Sequence, residues 1–373
     1  MKKFILFLFF FCIPLQIVMA QKTVTDSILS EGVMRHYHIY IPKNYISRSP
    51  RSLIIHLHGY SSNALLEKSY TNYMPIADTA GFLVVYPEGT VDSHGYQYWT
   101  AGIPDLPTTP DDVAYISMLI DTLHTHYNID LKRIYASGLS NGGYMCYQLA
   151  WKLPNKISAI ASVSGSMAAL EFAKCKPTQA VPVLEIHGTA DQTVPYTSSA
   201  LSTDIDTLLN FWAVSDGCIP LPGITNLPDI DKSDGTTVIH YEWSAELKST
   251  SCELYKIVSG THLDWPGAGN GNNGDFSASA VIWQFFNKFQ NQTAEVKSVS
   301  NSVPSFSFYP NPCSDILQIG SDSPGRTFIV DMMGRKLITS SEKTINVHSL
   351  TPGCYQLLFE VNGKISTGKF IKF

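Results

Sequence analysis

Gly138-Leu139-Ser140-Asn141-Gly142-Gly143 follows an apolar run at residues 133–136 and opens a helical stretch that contains Tyr144, Tyr147 and Leu149. This is a G-x-S-x-G sequence between a strand and a helix. The turn it demands is so tight that side chains flanking the serine would clash, hence the glycines, and its strain lifts the Ser140 hydroxyl clear of the sheet edge. The competing reading is a phosphate-cradling helix entry, but the G-x-G-x-x-G spacing is absent and no lysine follows the second glycine. The surrounding chain, from Met34 to about Lys288, alternates strand and helix. Near-continuous apolar segments at 52–57, 82–86, 133–136, 157–163, 182–186 and 254–258 read as strands covered on both faces. Val113, Ile116, Leu119, Ile120, Leu123 and Tyr127 recur at helical spacing, with Thr109 expected as cap, Pro110 at the first helical position and Asp112 bonding back. Further helices are expected at 141–153, about 199–214 and 277–288. The pattern specifies an α/β fold with a mainly parallel sheet.

A serine hydroxyl is a weak nucleophile unless a base takes its proton and a third group orients that base. On this strand–turn–helix arrangement the chain order is serine, acid, histidine. Asp191, in Gly188-Thr189-Ala190-Asp191, stands just past the apolar strand at 182–186, at a strand's carboxyl end where open α/β sheets build their sites. Its rivals Asp204 and Asp206 fall in a helix and Asp216 near its end. Of the histidines beyond it, His240 alternates within a strand and His348 belongs to a β-rich tail, which leaves His262, in the loop after residues 254–258, as the base.

The tetrahedral intermediate needs two aligned backbone N–H groups for its oxyanion. One is expected from Asn141, the other from the turn His58-Gly59-Tyr60, at Tyr60. His56 and His58 share a strand face but lack a third metal ligand nearby, so no metal is expected. Trp99 and Trp265 flank the loops of this site and are candidates for an acyl or aromatic pocket; the alternative is that both are core residues.

The first twenty residues stand apart: Lys2-Lys3, an apolar stretch to Val18, and Ala20 before Gln21 have the layout of a secretory signal, too short for a membrane span. Of seven cysteines, Cys12 leaves with that signal and six enter an oxidising compartment. Sequence order pairs Cys218 with Cys252, a loop whose closure would stabilise by about 3–4 kcal/mol. It leaves Cys146 with Cys175 and Cys313 with Cys354, against the alternative of buried free thiols. Four segments follow: signal peptide 1–20, α/β domain 21–290, a polar Ser/Asn-rich linker 291–303, and a small β-sandwich at 304–373 made of short strands and turns, with a hairpin at Asn362-Gly363. The 26 basic and 31 acidic residues give −5, which divides into about +2 on the tail and −9 on the rest once Lys2 and Lys3 are removed. With no basic block, nucleic acid is excluded as a partner, and a polyanionic substrate is disfavoured.

His58-Gly59, Tyr86-Pro87-Glu88-Gly89, Asp111-Asp112-Val113, the Ser140 motif, His187-Gly188-Thr189-Ala190-Asp191 with Val194-Pro195-Tyr196, and His262 ahead of Trp265-Pro266-Gly267 occur in that order. Together they resemble the secreted polyhydroxybutyrate depolymerase and feruloyl esterase family of α/β-hydrolases, over about residues 32–290. The resemblance implies a Ser140–His262–Asp191 triad, no cofactor, and a Cys218–Cys252 pairing. One departure is the Leu263-Asp264 insertion where relatives place a threonine between histidine and tryptophan. The tail, with Tyr309-Pro310-Asn311-Pro312, Met333-Gly334-Arg335, Leu350-Thr351-Pro352-Gly353-Cys354-Tyr355 and a lysine-containing end, is similar to the C-terminal sorting domain of the type IX secretion system. That similarity implies passage through the periplasm, an outer-membrane secretion partner, and an extracellular or surface-attached product.

The expectation is therefore an exported serine esterase acting on feruloyl or acetyl esters of plant polysaccharides. A polyhydroxybutyrate depolymerase or short-chain hydroxyalkanoate esterase is the alternative within that class. A serine peptidase is disfavoured by the absence of a propeller or lid domain in this sequence, and a non-catalytic carbohydrate binder by the complete set of reactive residues.

Overall fold

The computed structural model describes residues 21–245, 250–262, 265–267, 273–291, 306–321, 323–331, 335–361 and 364–373. The signal at 1–20, nearly all of the linker, and the Met333-Gly334 and Asn362-Gly363 turns lie outside them.

The chain begins with an antiparallel hairpin, β1 (Lys22–Ser30) and β2 (Val33–Ile41), followed by β3 (Arg51–Leu57). Two short helices, α1 (Ala64–Tyr70) and α2 (Tyr73–Ala80), precede β4 (Leu83–Pro87), and a two-residue ribbon of β5 (Thr90–Val91) and β6 (Gln97–Tyr98) precedes α3 (Asp112–His126). Then come β7 (Ile129–Leu139), α4 (Asn141–Lys152), β8 (Ala159–Val163), α5 (Ala169–Lys174), β9 (Val183–Gly188) and α6 (Ile205–Ser215). Strands β10 (Gly223–Asn226), β11 (Thr237–Ser244) and β12 (Ser251–Val258), with α7 (Ala278–Phe286), complete this part.

These strands form one ten-stranded sheet in the order β1-β2-β4-β3-β7-β8-β9-β12-β11-β10. Its middle, β4 through β12, is parallel, with antiparallel strands added at both edges. The predominantly apolar strands in the middle are explained by cores on both faces. One core includes Ile55, Ile116, Met145 and Trp212; the other includes Ile54, Tyr135, Leu184 and Phe286. The outermost strands β1 and β10 were not expected from sequence because they are largely exposed and carry no buried alternation, whereas the strand expected around His240 is β11.

The start of α3 differs from expectation. Asp111, not Thr109, is its cap, accepting from the Ala114 N–H at 3.0 Å. Asp112 is instead drawn into the interior by tertiary partners: its carboxylate pairs with buried Arg35 at 2.7 Å and accepts the Thr100 N–H at 2.7 Å. A buried ion pair of this kind needs such extra hydrogen bonds to offset the desolvation of both charges.

The tail has two sheets, β13 (Phe306–Tyr309), β14 (Ile316–Ser321) and β17 (Thr344–Asn346) in one, and β15 (Arg326–Val330), β16 (Lys336–Ser340), β18 (Gly353–Val361) and β19 (Lys364–Lys372) in the other. Leu317, Ile329, Leu357 and Phe370 belong to one buried cluster shared by both sheets.

The expected disulfides are absent: Cys146, Cys175, Cys218, Cys252, Cys313 and Cys354 are all free thiols. Cys313 and Cys354 neighbour successive residues of β19, Lys372 and Ile371. Side chains at successive strand positions face opposite ways, so Cys313 is buried and Cys354 exposed. Cys218 and Cys252 do meet, but as thiols. The contact lowers the Cys218 thiol, whereas burial and that same contact push Cys252 up.

Candidate active site

Ser140 occupies the single residue between β7 and α4, with φ 53° and ψ −116°. Positive φ on a non-glycine residue stores about 1–3 kcal/mol of strain. Two contacts hold it there: the Ser140 N–H donates to the Val163 carbonyl at 2.8 Å, and its own carbonyl accepts the Tyr144 N–H at 3.1 Å. Gly142 is required by proximity, because a Cβ there would stand 2.2 Å from the Leu57 carbonyl oxygen. The first turn of α4 therefore lies directly against the end of β3.

Asp191 follows β9 and His262 follows the adjacent β12. The loops behind them touch: a Cβ on Gly188 would meet the Gly260 oxygen at 2.3 Å. The His262 Nδ1–H donates to Asp191 Oδ2 at 2.8 Å. The other carboxylate oxygen of Asp191 accepts the Thr193 and Val194 N–H groups, both at 2.8 Å. Burial works against an ionised Asp191. The His262 hydrogen bond and charge, the Val194 N–H and nearby His187 outweigh it and hold the carboxyl below its usual value. The His262 side chain is 26% exposed while that of Asp191 is fully covered, so the imidazole is the member of the pair that a substrate can reach.

In the turn after β3, the Gly59 N–H donates to Glu67 at 3.2 Å and the Ser61 N–H to the Gln97 carbonyl at 2.9 Å. The Tyr60 N–H between them has no partner among the described residues, nor has the Asn141 N–H at the start of α4. Two unengaged amides, one on each side of Ser140, are what an oxyanion requires. The Tyr60 ring itself is turned outward, its phenol donating to Asp92 at 2.7 Å.

Trp99 and Trp265 are not pocket walls. They are 0% and 1% exposed, so neither has surface to offer a ligand. Trp99 ties the two amide-bearing segments together. Its N–H donates to Asn141 Oδ1 at 2.7 Å, its carbonyl accepts from Asn141 Nδ2 at 3.2 Å, and its indole N–H donates to the His58 carbonyl at 2.9 Å. Trp265 donates to Ser279 at 2.9 Å and packs edge-on to His56. Replacing Trp99 with phenylalanine leaves the His58 carbonyl unpaired in a dry site, at a cost of about 1–3 kcal/mol. A thermal melt is expected to show that loss together with a fall in kcat. An unchanged kcat with a KM shift that varies with the acyl group would instead return Trp99 to the substrate pocket.

His56 and His58 use both ring nitrogens inside the protein. His56 meets Ser137 at 2.9 Å and Glu67 at 3.1 Å, and His58 donates to the Gly59 carbonyl and accepts the Gly89 N–H, both at 2.8 Å. An imidazole that accepts at one nitrogen is neutral, and burial lowers His58 accordingly. Sequence reasoning missed the side-chain role of Asn141 and the buried pair Glu185–His187 behind Asp191. The available signal for the latter was a carboxylate in the otherwise apolar run at 182–186.

Residues 105–218 match the Phospholipase/Carboxylesterase family and residues 307–372 the Secretion system C-terminal sorting domain. A bifunctional acetylxylan esterase/xylanase of Neocallimastix patriciarum is 36% identical over 175 residues, 47% of this chain and 24% of that protein. Feruloyl esterase B of Piromyces equi is 28% identical over 195 residues, 49% of this chain and 36% of the relative. An acetyl xylan esterase from Aspergillus awamori superimposes with a TM-score of 0.51 at 14% identity, covering 71% of this chain and 99% of its own. The chain thus spans less than half the length of the curated relatives it matches first. The chain has the α/β-hydrolase fold. Its relatives include feruloyl esterases and a polyhydroxyalkanoate depolymerase, and residues 307–372 match a secretion sorting domain.

Proposed function

We propose that the protein is an exported serine carboxylic-ester hydrolase that removes feruloyl or acetyl groups from plant polysaccharides. The observation that carries this reading is the 2.8 Å hydrogen bond from His262 to ionised Asp191, on loops of the same sheet end at which Ser140 is held in a strained turn. Ser140 Oγ attacks the ester carbonyl as His262 Nε2 takes its proton, and Asp191 keeps the imidazole in the tautomer that can do so. The Asn141 and Tyr60 amides receive the developing oxyanion. His262 then returns the proton to the leaving alcohol, and water repeats the cycle on the acyl-enzyme to release the acid and restore Ser140. The residues supply every proton and charge that the reaction needs.

The acetylxylan and feruloyl esterases among its relatives support the substrate class. The sorting-domain match supports export, with residues 1–20 as signal, 21–290 as the hydrolase, 291–303 as linker and 304–373 as the address read by an outer-membrane secretion partner. The mature enzyme, assayed on methyl ferulate, acetylated xylan, hydroxybutyrate oligomers and a peptide amide, is expected to hydrolyse the first two with the highest kcat/KM. Preference for the oligomers would make it a polyester hydrolase. Cleavage of the amide alone would overturn the reading.

A further inference from the structure

Glu185 and His187 are alternate residues of β9, so both side chains lie on one face of the sheet, and both are fully buried. The His187 Nδ1–H donates to Glu185 Oε1 at 3.0 Å. On its other side, Nε2 lies 2.8 Å from the Val194 carbonyl and 3.5 Å from Asp191 Oδ2, the same oxygen that receives His262. A carbonyl only accepts, so His187 Nε2 carries a hydrogen. The second oxygen of Glu185 accepts the Tyr147 hydroxyl at 2.8 Å. The result is an unbroken row, Tyr147–Glu185–His187–Asp191–His262, running from the core to the edge of the site.

A carboxylate and an imidazole in the middle of a parallel sheet are expensive to desolvate, and an aliphatic pair would pack there without that cost. We infer that Glu185 and His187 are positioning residues for the reaction: a buried ion pair, its cationic end toward Asp191, that holds the orienting carboxylate in place and weakens its pull on the His262 proton. This rests on the assignment of Ser140, His262 and Asp191 proposed above. Burial opposes an imidazolium at His187, but Glu185, the Val194 carbonyl and Asp191 together raise it above its ordinary value, while burial raises Glu185 as well.

Other groups that face the pair come from each element packed on it. From α4 these are Tyr144, Cys146 and Tyr147, all raised chiefly by burial and all uncharged. From the loop after β9, Tyr196 packs edge-on to His187 at 5.8 Å and bonds Asp206 of α6. From β12, Cys252 is a neutral thiol beside Tyr147, and Lys256, in register with His187, lies over the Tyr196 ring and pairs with Asp206 at 3.5 Å. Lys256 and Asp206 offset each other, so the proton held by Glu185 and His187 is the one that changes the field at Asp191.

Glu185→Gln keeps the shape and removes the counter-charge, so His187 gives up its proton. Asp191 then loses its cationic neighbour and binds the His262 imidazolium more tightly. Because the base must be neutral to act, the acid limb of the kcat/KM profile moves to higher pH, by about half a unit to one unit. That is a loss of about 3- to 10-fold on the acid side, with a much smaller change on the plateau. Tyr147→Phe, which withdraws only the hydroxyl from Glu185, is expected to shift the limb in the same direction by less and serves if Glu185→Gln does not fold. The profiles are measured on the mature enzyme with a chromogenic acetate ester, alongside Ser140→Ala. A limb that superimposes on wild type or moves to lower pH, with Ser140→Ala inert, overturns the positioning role alone. An active Ser140→Ala variant overturns the mechanism on which it rests.

Discussion

Ser140→Ala is expected to lower turnover of a chromogenic acetate ester by about 10³-fold or more, and His262→Ala by a similar factor. The two losses are not additive, because nucleophile and base act in one step: the double variant is expected to be no worse than the more impaired single one. Neither change should disturb the fold. Alanine at 140 keeps the Cβ that the turn already accommodates and removes only a hydroxyl at the lip of the site, and His262 is partly exposed. A change in unfolding free energy within the range of ordinary surface substitutions, about ±0.5 kcal/mol, is the accompanying expectation. Hydrolysis at wild-type rate by purified Ser140→Ala would remove the serine mechanism altogether.

Gly142→Ala is expected to damage both stability and turnover. On helix propensity alone, alanine at this position in α4 would stabilise by about 1 kcal/mol. The tertiary structure reverses the sign. The new Cβ would lie 2.2 Å from the Leu57 oxygen and 2.8 Å from the His58 oxygen, and both are backbone atoms that cannot swing aside. Strand β3 and the start of α4 must separate, at about 3 kcal/mol or more, or a fall in melting temperature of about 6–12 °C for a domain of this size. Their separation also pulls the Tyr60 amide away from the Asn141 amide, and misplacement by about 1 Å costs on the order of 10²-fold in kcat. A variant that melts and turns over like wild type would show that the two segments are not held as described.

The central strands and four longer helices were legible because their signals are local, apolar runs for strands buried on both faces and a 3.6-residue period for α3, although α6 starts at Ile205 behind an Asp204 cap rather than near residue 199 as expected. The serine turn, Asp191 and His262 were legible because each sits at the end of such a run. Asp112 was misread for the opposite reason. Its sequence context is that of a helix start, and only the approach of Arg35 from β2, far away in the chain, makes it the buried half of an ion pair. The cysteines were misread because an even count says nothing about which way each side chain faces.

Trp99 and Trp265 draw the same boundary. Their positions in loops near the site suggested contact with substrate, but exposure is a property of what the rest of the chain lays over them, and both are covered. By itself the amino-acid order determined the α/β pattern and the place of Ser140, Asp191 and His262 at strand ends, since those follow from periodicity and turn chemistry. The tertiary structure alone decided which amides are left unengaged, which tryptophan holds the site together, and that Glu185 and His187 stand behind Asp191. Each of these depends on atoms brought within hydrogen-bond distance by the packing of β3, β7, β9 and β12, and distances across a sheet are not encoded in any one stretch of sequence.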